Sequence, residues 1–457
     1  MRSASSKVHE ARVELYRNTG KIHAREVGGR FNSLRWAMVW LTQIIFYGTC
    51  WLSWERNGEA GQAVLFDIAQ RKFHFFGLTL WPQDALLLAI ALIVAAAALF
   101  LATALAGRVF CGFACPQTVY TAIFAWVEAR VEGDHLARAR LDRSPPSARK
   151  LALRLSKHGL WVLIAGWTAI TFVGYFTPIR ELLPALAGLQ LGPWESFWLL
   201  FYGTFTYVQA GLAREAVCQH MCPYSRFQGV MVDEHTRNVA YDAARGEPRR
   251  AGQRGGACVD CGICVQVCPT GIDIRDGLQY PCINCGLCID ACDGVMDRIG
   301  APAGLLRFTS AQALGGAAKA GVRPRVWAYA ALAALCTLAG TWLLLERPLL
   351  RVDVLRDRGA LAHERAEGLI ENNYTLKLSN LVERPRRFVV EVDGAGGARI
   401  AGRAVFDAAA GSVTPVRVAV AMAAGGVPAG VLPIRFRVRA LDDAAVQAVE
   451  LSTFILP

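Results

Sequence analysis

Charge is scarce in this chain, and the usual signatures of nucleotide-dependent enzymes are missing. Only 19% of its 457 residues are Asp, Glu, Lys or Arg, against 54% that are hydrophobic, a balance that points to membrane segments rather than to an ordinary soluble domain. There is no glycine-rich dinucleotide fingerprint and no Walker loop, so cofactors and nucleotides that need those loops have no visible seat. A bis-histidine haem inside a bilayer is excluded because no histidine pair falls within a long apolar stretch; His158 comes nearest, at a boundary. No cysteine follows Cys336, which leaves the C-terminal region without a disulfide. No cleavable signal peptide is evident, because the first 35 residues are charged throughout and the apolar run after them is flanked like an anchor.

Five apolar stretches, residues 36–54, 85–107, 159–177, 193–212 and 326–345, have the length of about 17–25 residues that a helix needs to cross a bilayer. Trp36, Trp40, Trp51 and Trp54 place aromatic rings near both ends of the first. The net charge of +12 does not indicate nucleic-acid binding, because Arg and Lys crowd into residues 1–35, 108–158 and 213–325. The two intervening loops hold only Arg56, Arg71, Lys72 and Arg180. The positive-inside rule then puts the three basic segments in the cytoplasm and the C-terminus outside.

These boundaries give a basic tail over 1–35, helical over Val8–Tyr16 and placed against anionic lipid, then helices 1–4 over 36–235 and a cytoplasmic segment over 236–325. The fifth helix and an external domain over 346–457 follow. Residues 130–157, with the Pro145-Pro146 break, read as a connector, and 236–257 and 305–325 as linkers. In the external domain Tyr374–Ser379, Phe388–Val392, Val413–Val420, Ile434–Val438 and Val449–Phe454 alternate apolar and polar positions, with turns at Gly394–Gly397 and Gly425–Pro428. An Ig-like β-sandwich that contacts a partner is the economical reading.

Eight of the fourteen cysteines form two consecutive runs, Cys258, Cys261, Cys264, Cys268 and Cys282, Cys285, Cys288, Cys292. Each run has the spacing C-x-x-C-x-x-C-x-x-x-C of a two-cluster bacterial ferredoxin, in which three thiolates hold one cube and the fourth reaches the other. One 4Fe-4S cluster then takes Cys258, Cys261, Cys264 and Cys292, and the other takes Cys282, Cys285, Cys288 and Cys268. The one departure is Asp293 where the first run has Pro269.

Two further pairs repeat the motif C-x-x-x-C-P: Cys111 and Cys115, then Cys218 and Cys222, each three or four residues after an arginine. On a continuous helix the i, i+4 spacing puts both sulfurs on one face, and the proline redirects the chain. The second pair encloses His220 and Met221. Thiolate and thioether donors suit Cu(I), zinc or an iron-sulfur cluster, so copper, a third cluster and a thiol/disulfide couple all stay open. Cys50 and Cys336 are isolated and read as packing. Glu195 reads as an interfacial charge and His74 as a solvated side chain.

The stretches F-C-G-F-A-C-P-Q-T-V-Y-T from Phe110, V-C-Q-H-M-C-P-Y-S-R-F-Q from Val217, C-P-T-G-I-D-I-R-D-G-L-Q from Cys268 and C-I-D-A-C-D-G-V-M from Cys288 closely resemble the FixG/RdxA/CcoG family. R-D-R-G-A-L from Arg356 and I-E-N-N-Y-T-L-K from Ile370 extend the likeness over nearly the whole chain. The resemblance implies a multi-pass inner-membrane protein: a five-helix transmembrane bundle, an inserted two-cluster ferredoxin of α+β type and a C-terminal Ig-like β-sandwich. It further implies reduction of Cu(II) to Cu(I) for assembly of the cbb(3)-type cytochrome c oxidase. Copper would then sit on Cys111, Cys115, Cys218 and Cys222, with His220 and Met221 as further donors. Partners would be the copper ion, the oxidase or its assembly factors, and a cytoplasmic electron donor not yet identified, with oligomeric state open. The runner-up is a quinol-linked respiratory subunit, with Glu195 or Gln209 at the quinone; a third reading is a non-redox scaffold for oxidase assembly.

Overall fold

The computed structural model describes residues 22–56, 59–249, 255–316, 323–357, 362–365, 368–394, 397–423 and 429–457. The helix expected over Val8–Tyr16, the middle of the leading linker at 250–254 and the turn cores at 395–396 and 425–428 lie outside them. The chain divides into two compact units, Met1–Leu52 with Gln62–Leu338, and Ser53–Gly61 with Ala339–Pro457.

Helices Arg30–Thr49, Ala85–Ala106, Ala148–Val173, Pro193–Tyr207 and Pro324–Leu345 fall on the five apolar stretches. Three segments among the described residues are long and apolar enough to cross a membrane: Pro82–Ala106, Val109–Glu132 and Pro324–Leu345. The middle one was read as part of a basic loop, because the arginines at 138–143 dominate that stretch while the residues from Val109 to Val127 carry no charge at all. Conversely, Ala148–Val173 carries Arg149, Lys150, Arg154 and Lys157 in its first half, and Pro193–Tyr207 is only 15 residues long. A buried ion network takes up two of those charges, Arg154 and Lys157. Glu128, fully buried, meets Arg214 at 2.8 Å, Lys157 at 3.5 Å and Arg138 at 3.6 Å, and Glu132 meets Lys157 at 2.9 Å and Arg154 at 3.2 Å.

The second unit is a two-sheet sandwich. One sheet runs Arg399–Ala401, Ser412–Ala423, Leu369–Asn380, Leu350–Arg356, with His363–Arg365 also on Leu369–Asn380; the other runs Val405–Ala408, Arg386–Gly394, Gly430–Ala440, Gln447–Leu456. All five expected strands lie within longer ones, and period-two alternation sends Tyr374, Leu376 and Leu378 inward against Phe388, Phe436 and Phe454. The Tyr374 and Phe436 rings meet edge to face at 5.1 Å, and the buried Tyr374 hydroxyl donates to the Thr453 carbonyl at 2.8 Å. The core is closed by packing and aromatic contacts, with no disulfide.

Candidate iron-sulfur site and the adjoining cysteine pairs

The ferredoxin segment folds as a local repeat. Asp260-Cys261-Gly262-Ile263-Cys264 and Asn284-Cys285-Gly286-Leu287-Cys288 take the same backbone path, with Asp260 and Asn284 at φ 54° and 55° and Gly262 and Gly286 at 65° and 76°. Asp, Asn and Gly are the residues that tolerate the left-handed region, so each run turns tightly through its first cysteines before starting a helix, Ile263–Gln266 or Leu287–Arg298. Segments expected to be linkers close the unit: Asn238–Tyr241 pairs antiparallel with Leu306–Thr309.

The eight cysteines line two hollows. Cys258, Cys261, Cys264 and Cys292 surround one, walled by Tyr241, Val295, Met296 and Leu306. Cys268, Cys282, Cys285 and Cys288 surround the other, with Cys264 at its edge and Ile272, Ile274 and Ile283 in its wall. Four sulfurs around an apolar space fit an iron-sulfur cube. Among the described residues no three His, Cys, Asp or Glu side chains gather as tightly as a single ion would require, with metal–sulfur bonds of about 2.3 Å. Burial pushes the Cys282 and Cys292 thiols up to about 12 and Cys264 up to about 11, so a metal has to displace their protons on binding.

The two C-x-x-x-C-P motifs share one local design. Cys115 and Cys222 are extended (ψ 128° and 109°) and cap the helices Pro116–Glu132 and Pro223–Met231, whose first residue is the proline. A residue before proline is forced out of the helical region and proline suits the first helical position, so the two cysteines of a motif do not share a continuous helix face as expected. Cys111 lies in the turn Val109–Phe113 and Cys218 in the π-helical turn Val217–Met221. The irregular backbone ahead of the second motif is satisfied by the first: Gln117 Nε2 donates to the carbonyls of Gln209 and Arg214 at 2.9 and 3.0 Å.

Cys111, Cys115, Cys218 and Cys222 are all partly buried and lie within range of one another's charge. His220 and Met221 are exposed on the same turn. The motifs also dock on the ferredoxin. Cys111 packs against the buried cluster of Val267, Ile283, Cys285, Leu287 and Ala291, and Gln219 Nε2 donates to the Thr270 carbonyl at 3.4 Å. Gly112 explains the close approach, because a methyl group there would stand 2.7 Å from the Ile283 carbonyl oxygen and 3.0 Å from Cys285 Cα. Arg108 donates to the carbonyls of Tyr280, Cys282 and Ser225, and stacks over the Tyr280 ring at 4.8 Å. Buried Gln228 places its Oε1 2.9 Å from Cys111 Sγ, accepting from the thiol.

Sequence reasoning named neither Gly112, Arg108 nor Gln228 as functional; the only signal was the arginine ahead of each motif, and the two arginines do different work, since Arg214 pairs with Glu128. Cys50 is packing, at 1% exposure among Val173, Ile179 and Leu182, and Cys336 is partly buried on the last helix. Glu195 accepts from Thr177 Oγ1 at 3.4 Å, and His74 is bonded through Nδ1 to Thr79 at 3.0 Å.

Comparison with known proteins matches residues 213–255 and 248–311 to a 4Fe-4S dicluster domain, 88–133 to a 4Fe-4S binding domain, and 340–457 to the Ig-like fold at the C-terminus of FixG. The chain is 37% identical over 445 residues to the nitrogen fixation protein FixG of Rhizobium meliloti, covering 88% of this chain and 85% of that one. It is 40% identical over 448 residues to protein RdxA of Cereibacter sphaeroides, covering 94% and 95%. The methylamine utilization ferredoxin-type protein MauN of Methylorubrum extorquens is 26% identical over 245 residues, 51% of this chain and 74% of that one. A crystal structure of a FixG-related protein from Vibrio parahaemolyticus covers 24% of this chain and 96% of its own, at 22% identity and a TM-score of 0.22.

Proposed function

The chain belongs to the FixG/RdxA family of iron-sulfur electron-transfer proteins, and on that footing we propose that it is a multi-pass membrane protein that reduces Cu(II) to Cu(I) for assembly of a cbb(3)-type oxidase. In this reading Cys258, Cys261, Cys264 and Cys292 hold one 4Fe-4S cluster, and Cys268, Cys282, Cys285 and Cys288 the other. When bound, the two clusters supply one-electron storage. Copper is the substrate: Cu(II) takes up one electron among Cys111, Cys115, Cys218 and Cys222, two of which suffice as thiolate ligands for Cu(I), the state that thiolate ligation favours.

The observation that carries the proposal is the seat of Gly112 on the Cys285 backbone, which sets one C-x-x-x-C-P motif directly against a cluster-binding loop. Arg108 supplies positive charge beside both sets of sulfurs. The ferredoxin unit would face the cytoplasm and the β-sandwich the outside, where it would touch the oxidase or an assembly factor. The test is replacement of Cys111 and Cys218 by Ser. Loss of copper reduction and of oxidase copper loading with both clusters retained supports the reading; intact copper loading in these variants, with loss only on deletion of 350–457, makes the protein a scaffold.

A second reading has a specific observation behind it. The 4Fe-4S binding domain matched over 88–133 spans Cys111 and Cys115, and the dicluster match spans Cys218 and Cys222. Those four cysteines would then hold a third cluster, and purified protein would contain about twelve irons per chain rather than about eight.

A further inference from the structure

Among the helices Arg30–Thr49, Pro116–Glu132 and Ala148–Val173 lies a cavity of about 980 Å³, at the upper end of the range for sites that take an organic ligand. Its rim carries the exposed apolar side chains of Trp40, Ile44, Trp126, Leu163 and Trp167. Its inner wall is ferredoxin: Val267 and Pro269, on either side of Cys268, and Leu287, next to Cys288. Two polar side chains in it are more than nine-tenths buried and incompletely bonded. Gln43 is 7% exposed with no hydrogen-bond partner on Oε1, and Arg35 is 9% exposed with none on Nε. Buried polar atoms are costly to leave this way unless a ligand or water completes them. Arg35 is also within charge range of Cys268 and Cys285.

We propose that this cavity binds the head group of a membrane isoprenoid quinol, which serves as the electron donor. Gln43 and Arg35 are eight residues apart on one helix, about 12 Å along its axis, so a head group between them meets an acceptor at one end and a donor at the other. The Gln43 Oε1 accepts from a quinol hydroxyl, the Arg35 Nε–H donates to the opposite oxygen, and the isoprenoid tail leaves through the apolar rim. A lipid tail alone would satisfy neither polar atom. On becoming a quinone the quinol loses two electrons, one to each oxidised cluster of the function proposed above, and two protons, which go to water by way of the exposed carboxylate of Glu26 in the same cavity. The destination of the electrons rests on that proposed function; the binding site does not. Glu195 and Gln209, which the runner-up reading of the sequence would need at a quinone, are not among the residues that line it.

The test is anaerobic titration of the reduced, full-length, cluster-loaded protein in detergent with decylubiquinol, whose hydroxyls can donate to Gln43, read as quenching of tryptophan fluorescence from Trp36, Trp40, Trp126 and Trp167 at the cavity. Expected is saturable quenching that weakens roughly tenfold in Gln43→Leu and disappears in Ala125→Trp, which fills the cavity from the facing helix, with the iron-sulfur absorbance of both variants unchanged. Equal, unsaturable quenching in all three proteins overturns the proposal. If chemically reduced protein still reduces Cu(II) while quenching is unsaturable, the quinol site fails and the copper reading stands. If quenching saturates as expected but no Cu(I) forms, the copper reading fails and the site stands.

Discussion

Gly112 rests on the backbone of Cys285, so close that a methyl group in its place would lie 3.0 Å from the Cys285 Cα. The contact joins a motif near the start of a long apolar helix to a loop that turns around one of the ferredoxin hollows. Because its nearest neighbours would be backbone atoms, relief requires moving the helix or the loop. Replacing Gly112 by Val should therefore leave both clusters bound while slowing electron transfer to the C-x-x-x-C-P cysteines severalfold, because tunnelling falls off exponentially with the added distance. Stopped-flow reoxidation of the reduced clusters by Cu(II) measures it.

Arg108 is a positive charge at the junction, donating to the Cys282 carbonyl at 3.3 Å and within charge range of Cys111 and Cys218. Reduction adds negative charge, so removing a neighbouring cation disfavours the reduced form. Arg108→Gln should lower the reduction potential of at least one cluster by tens of millivolts, where about 59 mV is a tenfold change for a one-electron couple. A redox titration followed by electron paramagnetic resonance reads the shift.

Glu128 is fully buried among Arg138, Lys157 and Arg214. Truncating one partner of such a set leaves uncompensated charge in the interior, at a cost of about 3–5 kcal/mol. Glu128→Ala should sharply lower the thermal stability of the helical unit, and Glu128→Gln, which keeps the volume and part of the bonding, should lower it less. Thermal unfolding in detergent distinguishes the two.

In the ferredoxin, hydrogen bonds from Arg275 hold the Asp273 carboxyl below its ordinary value, with Nη2 to Oδ2 at 2.7 Å, and Arg275 lines the Cys258 hollow. A carboxylate with a depressed folded pKa adds stability that is present above its unfolded value of about 3.9 and is lost as pH falls through the folded value. Asp273→Asn should therefore destabilise the cluster unit at pH 7 and flatten the pH dependence of its stability below about pH 4. Cluster absorbance followed against pH in both proteins checks the sign.

The parts legible in the sequence are those set by short-range pattern. Cysteine spacing located the eight residues that line the two hollows, and period-two alternation located five strands of the sandwich. Pro116 and Pro223 marked where each helix restarts. What escaped is what long-range contact decides. Asn238–Tyr241 and Leu306–Thr309 are four-residue strands whose partner lies more than sixty residues away, so locally they look like linker. The apolar helix Pro116–Glu132 was hidden by charges that are buried in pairs with Arg138, Arg154 and Lys157 instead of being solvated. Gly112 and Gln228 carry no local signal, because what they touch is far away in the chain.

The account stands most directly on one anaerobic experiment: protein with about eight irons per chain, reduced and freed of excess reductant, is mixed with Cu(II) while cluster absorbance, the Cu(II) resonance and chelator-trapped Cu(I) are followed together. The account predicts that the clusters reoxidise as the Cu(II) signal disappears, with one Cu(I) formed for each electron lost, and that Cys111→Ser with Cys218→Ser abolishes this. Clusters that stay reduced beside an undiminished Cu(II) signal would contradict it.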